Sequence, residues 1–203
     1  MTDRAAGGAD LEARVEAAVA GGVDLVQVRD RALPGKALLA HVEAVLAAAR
    51  RGARARGAPV RVVVNRRVDV ALAAGADGAH LGWDAMPAAA ARTLLGPGAW
   101  LGASLHGADE LAALAGAPLD YVHVAPVFDP LSKPAERPAL GLEGLRRFCT
   151  GPFAVLAQGG VTADNAAACR EAGAAGVAVT GAILLAPDPA GAARALRNAL
   201  EGR

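Results

Sequence analysis

Short apolar, β-branched runs recur along the chain at 24–28, 60–64, 77–81, 99–103, 119–124, 153–157 and 175–179. Between them lie longer Ala/Leu/Arg stretches of helical character, at about 35–56, 67–74, 87–95, 107–115, 142–149, 162–172 and 181–186, with a last one near 189–201. Most runs are apolar almost throughout rather than strictly alternating, which predicts strands covered on both faces. Regular alternation of strand and helix predicts a parallel sheet. Thr162 ahead of Ala163-Asp164-Asn165, and Asp188 ahead of Pro189, read as helix starts, because a side-chain oxygen can accept from free first-turn amides and proline tolerates that turn. A further helical stretch at 9–21 precedes the first strand, so the count lacks an opening strand. The expectation is a single α/β domain over 1–203, a (β/α)₈ TIM-type barrel whose first strand is missing or truncated at the N-terminus, with Met1–Arg4 as the turn after it. An open doubly wound sheet is the rival. No Gly-x-Gly-x-x-Gly turn follows an early strand, which argues against a dinucleotide fold.

Composition changes this picture little and excludes much. At 203 residues the chain is long enough for one well-buried core and short for two. A net charge of +1 with 20% charged residues supplies no global field for nucleic acid, and six aromatic residues make a base-stacking platform improbable. Cys149 and Cys169 fit no metal or disulfide spacing and are expected as structural thiols of a cytoplasmic protein. The longest charge-free stretch, Ala172 to Pro187, is broken by Gly173, Gly176 and Gly181 and is too short to span a membrane. The first ten residues carry Asp3, Arg4 and Asp10 and lack the apolar core of a secretion signal.

Candidate chemistry gathers where strands end. In a barrel the C-terminal strand ends form the active face, with phosphate often bound after the seventh and eighth strands. Gln158-Gly159-Gly160-Val161-Thr162 and Thr180-Gly181 occupy those places; glycines let backbone amides approach a phosphate, and the following helix start adds partial positive charge. Arg29 and Arg31, Arg66 and Arg67, and Lys133 follow other strands, where arginine clamps phosphate bidentately and lysine acts as a mobile charge. Lys133 sits in a long loop after 119–124, stiffened by Pro126, Pro130, Pro134 and Pro138. His123 shares a strand face with Tyr121 and is expected at the barrel mouth as a proton-transfer group near pH 7, with a carbonyl-satisfied core histidine as the equal alternative. His80 reads as structural, and His41 and His106 receive no role.

These motifs, in order from about Val15 to Ala186, resemble the thiamin phosphate synthase/TenI family. Gln27-Val28-Arg29-Asp30-Arg31, Val64-Asn65-Arg66, Gly75 to Gly82, Asp120 to Phe128, Ser132-Lys133 and Gly159-Gly160-Val161-Thr162 are each similar to a family segment, and Met1-Thr2-Asp3 is similar to its first strand end. The resemblance implies a (β/α)₈ barrel, commonly a homodimer, that binds a phosphorylated thiazole. In the synthase branch magnesium holds the pyrophosphate of an aminopyrimidine; pyrophosphate departs, and the thiazole nitrogen captures the remaining cation. The TenI branch lacks that condensation, and some members isomerise the thiazole by proton transfer.

Three positions depart from the synthase pattern. The family's magnesium-ligand aspartates fall on Arg66 and Ala85, and its pyrimidine-contacting glutamine falls on Trp83. Magnesium takes oxygen ligands; a guanidinium at ~4 Å instead repels, by roughly 4 kcal/mol per unit-charge pair at an effective dielectric of 20. Asn65, Ser104, Lys133 and the two glycines persist, so the thiazole-phosphate half looks intact. The favoured expectation is therefore a TenI-like thiazole tautomerase needing no metal, with His123 and Lys133 catalytic. Gly159, Gly160, Thr180 and Gly181 are expected to hold phosphate, and Gln27, Arg29, Arg31, Asn65, Arg66, Trp83, Ser104 and Ser132 to contact substrate. Tautomerases of this kind carry histidine where Pro126 stands, three positions from His123. The rivals are a thiamin phosphate synthase in which Arg66 replaces a metal ligand, with Mg²⁺ required only there, and a non-catalytic phosphate-ligand sensor. No nucleic acid or membrane partner is expected.

Overall fold

The structure is a computed structural model that describes residues 1–82, 84–114, 116–129 and 138–203. Seven strands form one parallel sheet in sequence order: β1 (Leu25–Val28), β2 (Arg61–Asn65), β3 (Gly78–Leu81), β4 (Trp100–Leu105), β5 (Tyr121–Val124), β6 (Ala154–Gln158) and β7 (Gly176–Ala178). Helices α1 (Arg4–Gly7) and α2 (Leu11–Ala20) precede β1, with a 3₁₀ turn at Gly8–Asp10 between them. The strands are joined in turn by α3 (Gly35–Arg56), α4 (Val68–Ala74), α5 (Ala88–Leu95), α6 (Ala108–Ala113), α7 (Gly141–Cys149) and α8 (Ala163–Glu171). After β7 come α9 (Gly181–Leu184) and α10 (Pro189–Glu201). Strand and helix positions follow the apolar pattern closely; only the short α1 and 3₁₀ turn lack periodicity and were not anticipated.

The core lies between sheet and helices. Val26, Val28, Val62, Val64, Leu101, Val122 and Val124 are buried against Val42, Val45, Leu145 and Leu196 on the helices. All four residues of β3 and of β5 are buried, as near-continuous apolar strands require. Helix α8 starts with Asn165 Oδ1 accepting from the Thr162 N–H at 2.9 Å, a reciprocal cap. Helix α10 starts at Pro189 directly after Asp188, as expected, but the Asp188 carboxylate accepts no first-turn amide and faces Arg194 at 3.6 Å instead.

A closed eight-stranded barrel is not what the described residues form. Their sheet is a seven-stranded half-barrel, and β1 and β7 are not paired. Between them Met1 and Thr2 make backbone bonds to both edges: the Met1 ammonium donates to Val179 O at 2.9 Å, and Thr2 N–H to Gln27 O at 2.8 Å. Two residues are too few to form a ladder, and a cavity of about 40 Å³ lined by Met1, Thr2, Leu25, Val26, Val179 and Ile183 remains beneath them. Complete burial pushes the Met1 amino group down to about 6. No helix of the described residues is long and apolar enough to cross a membrane.

Candidate functional site

Parallel pairing aligns the inward positions of adjacent strands, and these carry the polar residues. The registers pair Asn65 with His80, Ser104 with His123, and Gln158 with Ala178, so Gln27, Asn65, His80, Ser104, His123 and Gln158 ring the interior near the C-terminal strand ends. Asn65 Nδ2 donates to Gln27 Oε1 at 3.2 Å. His80 pairs through Nε2 with Ser104 Oγ at 2.9 Å and through Nδ1 with Tyr121 OH at 3.1 Å. His123 Nδ1 meets Gln158 Oε1 at 2.9 Å, and the two imidazole rings lie 4.3 Å apart between centroids.

Burial governs the chemistry of this ring. His123 is 3% exposed, and desolvation, then the Met1 ammonium, pushes it down to about 4 against the opposing bond from Gln158. His80 is pushed down too, by burial first and by its neighbour His123 second. Both imidazoles are therefore neutral near pH 7, which corrects the expectation of a titrating His123. Gln27 is equally buried, and its Nε2 meets no partner among the described residues. A buried amide donor without a partner costs about 1–3 kcal/mol unless a ligand accepts from it.

Beyond the ring the loops after β1 and β2 bring cations together. Arg29 N–H donates to Thr2 Oγ1 at 3.0 Å, and Asp30, bound by Ala32 and Leu33 amides and by Arg4, fixes the loop that carries Arg31. The Asp30 carboxyl, which burial pushes up, is held below its ordinary value by those bonds. Arg67 N–H donates to Asn65 O at 2.8 Å across Arg66, whose φ of +66° is the single positive value among described non-glycine residues. Such a three-residue turn is rare and strained. Arg66 N–H donates to His80 O at 2.8 Å, and its guanidinium pairs with Asp84 at 2.5 Å. Burial first, then Arg31 and Arg66, lowers the pKa of Arg29. A cavity of about 250 Å³ opens beside these groups, lined by Asp30, Arg31, Asn65, Arg66 and Arg67.

The glycine-rich ends lie after β6 and β7. Gly159 and Gly160 have φ of +91° and +61°, conformations only glycine adopts cheaply. A Cβ on Gly160 would stand 2.4 Å from Asp129 O, and one on Gly159 2.8 Å from Pro126 Cα, so both glycines also admit the chain after β5. Gly160 O accepts from Asn165 Nδ2 at 3.0 Å, while its N–H has no acceptor among the described residues. Thr180 O accepts from the Leu184 amide at 2.9 Å, and Gly181 begins α9.

The strand ends thus bring together Gln27, Asn65, Ser104 and His123 in the ring, Arg29, Arg31 and Arg66 on one side, and Gly159, Gly160, Thr180 and Gly181 after β6 and β7. Lys133, Ser132 and Trp83 lie outside the described residues. Sequence reasoning assigned no role to the side chains of Gln158, Asp84 or Tyr121. Gln158 had a signal, since it precedes Gly159 on the same face as His123.

A divalent cation finds few ligands beside Arg66. Ala85 offers no side-chain oxygen, Asp84 is engaged by the Arg66 guanidinium, and the described residues contain no group of three His, Cys, Asp or Glu side chains able to hold a metal. The described residues do not fit a protein-held magnesium ion.

A profile of the thiamine monophosphate synthase family matches residues 1–183. A putative thiamine-phosphate synthase of Geobacter sulfurreducens is 44% identical over 205 residues, covering 100% of this chain and 93% of that protein. The thiamine-phosphate synthase of Roseiflexus castenholzii is 42% identical, covering 97% of this chain and 84% of its own. Among solved structures, thiamine phosphate pyrophosphorylase from Pyrococcus furiosus superposes with a TM-score of 0.83 at 31% identity, covering 99% of this chain and 93% of that one. These relatives overturn the tautomerase expectation. They carry the name of the transferase, at identities spread over nearly the whole chain, and so outweigh three local departures.

Proposed function

Because this chain belongs to the thiamine monophosphate synthase family, we propose that it is a thiamine-phosphate synthase, a transferase joining an aminopyrimidine diphosphate to a thiazole phosphate. In this reaction the C–O bond of the pyrimidine methylene to diphosphate breaks, the diphosphate leaves with the electron pair, and the thiazole nitrogen forms the new C–N bond. No proton need be moved at the reacting carbon, so the neutral His80 and His123 are suited to shaping the interior rather than to acid–base work. The observation that carries the reading is the pairing of two anion-seeking sets at one end of the sheet. Arg29, Arg31 and Arg66 follow β1 and β2; the Gly160 amide and Thr180-Gly181 follow β6 and β7. Two phosphorylated substrates need two such sets, and the buried Gln27 donor lies on the side of the first.

In the reaction the arginines stabilise charge that grows on the departing diphosphate, the largest demand of such a dissociative step. The glycine side holds the thiazole phosphate while its ring nitrogen approaches the carbon. Lys133, by resemblance, adds a further cation. The test is to incubate the purified protein with both substrates, with and without Mg²⁺, and to measure thiamine phosphate by chromatography. Product formation is expected. Isolated binding of the two ligands with no condensation would overturn the reading in favour of a sensor.

A further inference from the structure

Resting on that reading only for the choice of ligand, we propose that the cavity beside Arg66 is a metal-independent diphosphate site. In it Arg31, Arg66 and Arg67 neutralise the anion, and Asp84 is the internal counter-ion that the anion displaces. The cavity, about 250 Å³, is small for an organic drug-sized ligand and ample for a compact anion. Its cations are differently engaged. Arg67 is held by Asp69 through two bonds of 2.8 and 2.6 Å, and Arg66, among the described residues, by Asp84. Arg31 has no ion pair among the described residues. The local charge therefore favours an anion even before Asp84 moves, and releasing Asp84 to water frees a second guanidinium for bidentate contact.

Two independent features point to a ligand rather than to a surface ion pair. Arg66 is held in the left-handed region by bonds at both ends of its turn, a strained arrangement that exposed ion pairs do not require. Gln27 Nε2 is buried without a partner, and its amide oxygen is tied to Asn65, which lines the cavity. A magnesium ion at the same place would face the Arg66 guanidinium and compete with it for Asp84. Gly82 accommodates the crossing side chain: a Cβ there would already lie 3.3 Å from Asp84 Oδ1 and 3.6 Å from Arg66 Cγ.

Isothermal titration of the full chain with inorganic pyrophosphate, in EDTA and again in excess Mg²⁺, tests this. Pyrophosphate is expected to bind in EDTA, at least as tightly as in Mg²⁺. Arg66→Ala should weaken binding tenfold or more, and Asp84→Asn should tighten it several-fold by removing the competitor. Arg31→Ala, at an exposed position, should weaken it without disturbing the fold, and covers the case in which Arg66→Ala does not fold. Binding that is lost in EDTA, or weakened by Asp84→Asn, would overturn the proposal and make Asp84 a metal ligand. The outcomes separate from those of the synthase assay. Condensation supported only by Mg²⁺, with no pyrophosphate binding in EDTA, sinks this site alone, whereas tight metal-free binding without condensation sinks the synthase reading alone.

Discussion

His123 and His80 are neutral because the buried face of the sheet gives their charges nothing in exchange for lost water, and with the tilted rings 4.3 Å apart between centroids a charge on His123 disfavours one on His80. An imidazole with a lowered folded pKa is protonated more readily in the unfolded chain, so stability rises with pH between the two values. For His123 the window runs from about 4 up to the unfolded value. Its contribution is fully present above an unfolded pKa of about 6.5, amounts to about 3 kcal/mol, and is lost as pH falls through the window. His80 acts in the same direction. Urea midpoints at pH 7 and pH 4.5 should therefore differ markedly, and His123→Gln should flatten the slope; an unchanged slope would show that His123 is not the group. This neutral pair was only half legible. The period of two placed His123 on Tyr121's face, but the depth of that face follows from six neighbouring strands.

At the scale of elements, strand entry is built from a repeated aspartate. Asp77 precedes β3 and its Oδ2 accepts from Val62 N–H at 2.7 Å; Asp120 precedes β5 and its Oδ2 accepts from Leu101 N–H at 2.7 Å. Each clamps the neighbouring strand at its start, and Arg92 holds Asp120 at 2.7 Å. Asp77→Asn should lower stability by about 1 kcal/mol, as a charge-assisted bond becomes a neutral one, read from chemical denaturation. Gly102 on β4 is a stricter constraint. A Cβ there would meet Tyr121 Cζ at 2.2 Å, so the phenol ring fills space that only glycine leaves. Gly102→Ala should cost roughly 2–3 kcal/mol through overpacking, seen as a shifted urea midpoint. The apolar runs located all seven strands to within two residues, because burial on both faces writes itself as uninterrupted Val, Leu and Ala. The Arg66–Asp84 pair was not legible, since it depends on a turn conformation that arginine seldom adopts.

For the whole molecule, the uneven support of the sheet is the dominant property. Strands β2 to β5 are flanked on both sides and largely buried, whereas all three residues of β7 are only half-buried and no strand among the described residues pairs with its outer edge, the Met1 ammonium reaching Val179 just beyond it. Local opening follows local support. Hydrogen-exchange mass spectrometry should show amides of 174–180 and 25–28 exchanging ahead of those of 78–81 and 121–124; uniform protection would mean that the seam is better sealed than two residues allow. The reaction itself was misread from the sequence for a related reason of scale. Three altered side chains pointed away from the synthase, while the relatedness that overrides them is spread thinly along the chain. The packing around Gly102 has an optical consequence as well. Tyr121 is the single tyrosine of the chain, and its ring centre lies 5.9 Å from that of Trp100, whose other neighbour is the Arg61 guanidinium at 4.3 Å. Light absorbed by the phenol is passed to the indole while β4 and β5 stay paired, so tyrosine-sensitised emission from Trp100 is an intrinsic gauge of whether the centre of the sheet is intact.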